Sequence, residues 1–70
     1  MKLKVDESAD AMYLRLNESA IVDSEEVQPG VVLDYDERGR VVGVELLGIK
    51  DRATGASLRN LTFETVTADQ

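Results

Sequence analysis

The side chains able to do chemistry in this chain are mostly carboxylates. In 70 residues there are 14 Asp and Glu against 8 Lys and Arg, a formal net charge of −6, and no His, Cys or Trp. Without His and Cys there is no base for a Ser-His-Asp or Cys-His mechanism. The usual ligands of structural zinc, haem and iron–sulfur clusters are missing too. Asp34, Asp36 and Glu37 are oxygen ligands of the kind magnesium and calcium take, but their spacing falls short of a complete calcium-binding loop. A solvated strand face and a turn acid account for all three. Asp6, Glu7 and Asp10 read the same way, around a short polar link. Arg38 and Arg40 flank Gly39 and would suit a phosphate, yet Asp36 and Glu37 beside them cancel the field. Asn17-Glu18-Ser19 and Asn60-Leu61-Thr62 match the glycosylation pattern. Without a secretory segment both are expected to be chance matches. No catalytic, cofactor-binding or metal residue is therefore assigned, no cofactor is implied, and an enzyme is not expected. Small-molecule pockets occupy roughly several hundred cubic ångströms, which so short a chain would enclose only at a dimer interface.

The same charges bear on partners. Nucleic-acid binding rests on Lys and Arg neutralising phosphates. Here the bases are scattered among acids, so the chain alone is not expected to bind DNA or RNA. Asp23, Glu25 and Glu26 are a candidate acidic surface for a small basic protein partner. The start, Met1 to Glu7, lacks the apolar core of a signal peptide. The apolar runs are far shorter than the roughly 20 residues that span a bilayer. A cytoplasmic protein away from membranes is the expectation.

The elements that must position these residues are strands. Leu3 and Val5 alternate with Lys2 and Lys4. Met12, Leu14 and Leu16 alternate with Ala11, Tyr13 and Arg15. Val31, Leu33 and Tyr35 alternate with Val32, Asp34 and Asp36, and Val42, Val44 and Leu46 with Val41, Gly43 and Glu45. A period of two marks half-buried strands. Asp36-Glu37-Arg38-Gly39 is turn chemistry, so Val31–Tyr35 and Arg40–Leu46 form a hairpin. Pro29-Gly30 suits a type II turn. Asp6 to Asp10 links the first two strands as another hairpin, with room for a helical turn. Gly43 inside a strand suggests a bulge or a close neighbouring backbone. Ala20 to Gln28 reads as an irregular exposed strand or a loop. Beyond Lys50 the character changes. Ala53 to Asn60 suits a short helix weakened by Gly55, whereas Leu61 to Val66 alternates like a strand, and both readings stay open. Thr67 to Gln70 are expected to fray.

Two segments carry a resemblance. Lys4-Val5-Asp6-Glu7-Ser8-Ala9-Asp10-Ala11-Met12-Tyr13-Leu14-Arg15-Leu16 resembles the opening of the YuzE-like small bacterial proteins, a family of unknown function. Glu25-Glu26-Val27-Gln28-Pro29-Gly30-Val31-Val32-Leu33-Asp34-Tyr35-Asp36, with Gly39-Arg40-Val41-Val42-Gly43-Val44-Glu45, resembles that family's second signature. The likeness covers about residues 2–47. Residues 49–70 depart from the family's usual shorter helical end. Some members lie in gene contexts similar to those of antitoxin candidates beside small toxin-like proteins. The resemblance implies no catalytic residues.

The chain therefore reads as one small mainly β (or small α+β) domain, residues 1–70, with 49–70 as a C-terminal extension. Its core is a twisted antiparallel sheet of about four strands built from hairpins. The inner face would carry Leu3, Val5, Met12, Leu14, Leu16, Val31, Leu33, Tyr35, Val42, Val44 and Leu46. A C-terminal segment, a second subunit, or both would cover it. Tyr13, Val32, Val41 and Leu47 fall on the opposite face by parity and are the candidate self-association residues of a homodimer. The first functional expectation is a small acidic interaction protein, antitoxin-like in a two-gene module. The alternative is a self-associating structural or regulatory module without a toxin partner. The least favoured is an enzyme or ligand sensor with its site at a dimer interface.

Overall fold

The structure, a computed structural model, describes residues 1–53 and 58–68. It is built on one five-stranded antiparallel sheet. The strands are β1 (Lys2–Asp6), β2 (Ala11–Arg15), β3 (Asp23–Gln28), β4 (Val31–Tyr35) and β5 (Val41–Leu47), followed by one helical turn, α1 (Ile49–Arg52). The spatial order is β1-β2-β5-β4-β3. A hairpin, β1-β2, thus joins a three-stranded meander, β3-β4-β5, through the β2–β5 pair.

The four expected strands, β1, β2, β4 and β5, fall where alternation places them. The fifth strand is β3, within the stretch that reads as strand or loop. Asp23-Ser24-Glu25-Glu26 has no apolar alternation because β3 is an edge strand exposed along its whole length. Its backbone is held by β4 on one side only.

Direct pairing puts the apolar side chains in two rows. Leu3, Leu14, Val44 and Leu33 face one another across the sheet, and so do Val5, Met12, Leu46 and Val31. Residues paired across antiparallel strands share a face, so both rows lie on one side. The other side carries Lys4, Tyr13, Glu45, Val32 and Glu26 in one row, and Arg15, Gly43, Asp34 and Ser24 in the next. The candidate self-association residues Tyr13, Val32 and Leu47 therefore share this second face, interleaved with charges. Val41, expected on this face by parity, does not share it: past the register shift between Asp34 and Tyr35 it pairs with Tyr35, which lies on the apolar side with Leu33, because a bulge resets the alternation.

The inner face is not closed. Among the described residues only Ala11, Val42 and Ile49 are apolar and buried, at 7%, 1% and 6% exposure. In the two apolar rows Leu3 is exposed and the remaining residues are half-buried. The tail does not cover them: Leu61, Phe63 and Val66 are themselves 59%, 79% and 90% exposed. Residues 60–68 form neither helix nor strand. The helical expectation for Ala53 to Asn60 lies partly outside the described residues, as does the expected fraying of residues 69–70. The helical turn that does form begins earlier, at Ile49, where an apolar side chain is buried.

Candidate functional site

The densest side-chain arrangement on the mixed face starts from Gly43. Tyr13 on β2 and Asp34 on β4 lie on the strands either side of β5. The Tyr13 hydroxyl donates to Asp34 Oδ2 at 2.7 Å, and the Ser24 hydroxyl donates to Asp34 Oδ1 at 2.6 Å. The line between Tyr13 and Asp34 passes over Gly43, where a Cβ would lie 2.5 Å from Tyr13 Oη and 2.9 Å from Asp34 Oδ2. The close neighbour expected at Gly43 is thus a pair of side chains rather than a backbone. The hydrogen bond to Asp34 stabilises the phenol over the phenolate and raises the Tyr13 pKa above its ordinary value, against the opposing effect of Arg15. Both Asp34 oxygens accept hydrogen bonds, so the carboxylate is held in place by Tyr13 and Ser24 across three strands.

Asp36 does a related job at the β4–β5 turn. It is the buried acid of the chain's described residues, at 4% exposure. Its Oδ1 accepts the backbone N–H groups of Arg38 and Arg40, each at 2.9 Å, and its Oδ2 pairs with Arg40 Nε at 3.0 Å. Those hydrogen bonds, led by the Arg40 N–H, hold its pKa below the usual carboxylate value. Gly39 follows at φ 77°, in the left-handed region where a Cβ is disfavoured. Arg40 is thereby committed to Asp36.

At the opposite end, Asp10 has φ 53°, tolerable for Asp because its short side chain makes local hydrogen bonds. Its carbonyl accepts Ile49 N–H at 3.2 Å and its carboxylate accepts Lys50 N–H. Arg52 reaches back to the carbonyls of Leu47 and Pro29. Asp6 accepts from Ala9 N–H and the Ser8 hydroxyl, which lowers its pKa. Of the acids considered as cation ligands, Asp6, Asp10, Asp34 and Asp36 are thus engaged separately, and no three Asp or Glu among the described residues gather to hold a metal ion.

The acidic surface is a line rather than a patch. Glu25 pairs opposite Leu33 and Glu26 opposite Val32, so they point to opposite faces of the β3 edge. Glu25 accepts the Tyr35 hydroxyl at 2.9 Å, raising the Tyr35 pKa, and Glu26 accepts Gly30 N–H at 3.1 Å. On the mixed face a shallow groove of about 320 Å³ is lined by Lys4, Asp6, Tyr13, Glu45 and Leu47, among others. Sequence reading missed the Tyr13–Asp34–Ser24 cluster and the burial of Asp36. The one signal for the latter was an Asp three residues before a turn Gly. No helix among the described residues is long and apolar enough to cross a membrane.

No curated protein and no solved structure matches the chain. A family model does match, over residues 2–50, which span all five strands and the start of α1 but not the tail. The chain belongs to that family, DUF2283, a family of proteins of unknown function.

Proposed function

We propose that this chain acts by binding another protein surface, and not by catalysis. The observation that supports this reading is the open apolar side of the sheet. Two rows of apolar side chains cross four strands, yet only three apolar residues among those described are buried. A domain of this length already sits near the limit of what its own core can stabilise. Leaving such a face in water forfeits roughly 25 cal/mol for each square ångström of apolar surface. A protein surface laid on the face recovers that energy.

Within this reading the finer role is the acidic, antitoxin-like half of a two-gene module, in line with the resemblance to YuzE-like proteins. Asp23, Glu25 and Glu26 on the fully exposed β3 edge suit a small basic partner. Co-expression with the product of the adjacent gene tests it. The expected result is a stable complex on size exclusion and relief of that product's toxicity. A neighbour that is harmless alone and never co-purifies contradicts the antitoxin role. The alternative, self-association without a toxin partner, is favoured by the lack of charge in the two apolar rows.

A further inference from the structure

Resting on the reading of the chain as an interaction module, we propose that the occupant of the open face is a second copy of the same chain. The two sheets stack apolar face to apolar face, and each tail, residues 60–68, lies against the partner along the margin of that interface.

Charge selects the surface. Each copy carries −6, so two copies repel unless they meet where there is no charge. The rows Leu3–Leu14–Val44–Leu33 and Val5–Met12–Leu46–Val31 are such a place on β1, β2, β5 and β4, and Glu25 and Asp23, opposite Leu33 and Tyr35, share that face only at its β3 margin. The sheet edges are not. β3 presents Asp23, Glu25 and Glu26, and β1 presents Lys2, Lys4 and Asp6. Charged edge strands oppose continuation of the sheet. Two β3 edges repel each other, as do the paired lysines of two β1 edges. An acidic β3 against a basic β1 would repeat without closing and give a filament instead of a dimer.

Area selects the tail. The four strands that carry the apolar rows, about 4.8 Å apart and each of five or more residues at about 3.3 Å, give a face of about 19 by 17 Å, a footprint of about 320 Å². A stable specific interface buries roughly 800 Å² on each partner. The deficit falls within reach of Leu61, Phe63 and Val66, all more than half exposed. A single aromatic side chain buries about 150–250 Å². The tail is also placed to reach. Arg59 is tied to Glu7 at the β1–β2 turn by an ion pair of 2.7 Å. Nine extended residues beyond it span up to about 30 Å, longer than the sheet is wide.

Light scattering on a size-exclusion column, backed by sedimentation at several concentrations, tests the proposal on the full chain. The expected mass at tens of micromolar is twice 7.7 kDa. Leu3→Lys, at an exposed position in an apolar row, and Phe63→Ser, in the exposed tail, should each leave the circular dichroism of the sheet intact. Each should raise the dimer dissociation constant by roughly 10- to 100-fold. Leu47→Lys, exposed on the mixed face, should leave it unchanged. A monomer that melts sharply and binds no hydrophobic dye overturns both this proposal and the interaction reading. A dye-binding, poorly cooperative monomer that melts sharply only with the neighbouring gene product overturns the second copy and leaves the interaction reading standing. Particles growing beyond a dimer overturn face stacking in favour of edge pairing. A dimer broken by Leu47→Lys and not by Leu3→Lys overturns the choice of face. A dimer indifferent to Phe63→Ser overturns the role of the tail.

Discussion

Gly43→Ala is the smallest change that tests the packing of the mixed face. Its Cβ would stand 2.5 Å from Tyr13 Oη, 2.9 Å from Asp34 Oδ2 and 3.1 Å from Tyr13 Cζ. The first two distances are too short for any carbon, so the phenol must lift away and its bond to Asp34 must break. A hydrogen bond to a charged group contributes about 1.5–3 kcal/mol, and the low end applies to this half-buried pair. Replacing Gly by Ala inside a strand returns roughly 0.5–1 kcal/mol of chain entropy. The net expectation is a loss of about 1 kcal/mol, or roughly 4–8 °C in Tm for a domain of this size. The decisive comparison is the same substitution in Tyr13→Phe. There the hydroxyl is gone, the ring and the Asp34 carboxylate it releases, still 2.9 Å from the new Cβ, each need to give only a few tenths of an ångström, and Ala should be neutral or slightly stabilising. The double-mutant cycle should return a coupling of about 1 kcal/mol. Chemical denaturation at fixed protein concentration measures all four proteins, the fixed concentration removing any contribution of self-association. If Gly43→Ala is harmless in the parent, or equally harmful with and without the hydroxyl, the account of Gly43 as the gap that lets Tyr13 reach Asp34 is wrong.

Asp36 should make the protein acid-sensitive. Its pKa is depressed in the folded chain, so the unfolded chain binds the proton more readily. The stability it contributes is fully present above the unfolded value of about 3.9, and is lost as pH falls through the lower folded value. Asp36→Asn should flatten that part of a Tm-against-pH curve and leave the parent's slope above pH 5 in place. Both tyrosines should ionise above the ordinary value in an ultraviolet titration. Asp34→Asn should bring Tyr13 down alone and Glu25→Gln should bring Tyr35 down alone. A single shared response would contradict the separate hydrogen bonds. Arg59→Ala removes an ion pair whose side chains are 82% and 47% exposed. Tm measured at a concentration where the chain is monomeric should stay within about 2 °C.

How much of this was readable beforehand follows from what each residue had to do. Strands β1, β2, β4 and β5 were legible because one face of each carries the apolar rows, and burial on one side writes a period of two into the sequence. β3 was half-legible because an edge strand exposed on both faces needs no such pattern. Its acids guard the edge and its register comes from β4. The Tyr13–Asp34–Ser24 cluster was invisible because it depends on β5 lying between β2 and β4, a non-sequential neighbourhood that alternation does not encode. In sequence Asp36 reads as a solvated turn acid, since a turn carboxylate usually is one. Its burial comes from two N–H groups and Arg40 closing around it. The tail's alternation at Leu61 and Phe63 suggested a strand. Among the described residues no strand pairs with it, so no ladder orders one.

The central claim, that the apolar face is covered by a second copy of the chain, is tested most directly by isotope-filtered nuclear Overhauser spectroscopy on a mixture of labelled and unlabelled chains. The expected result is cross-copy contacts among the methyl groups of Leu14, Val44 and Leu33, together with contacts from the Phe63 ring of one copy to apolar-face methyls of the other. Methyl groups on that face that show contacts only within their own chain and to water would contradict the account.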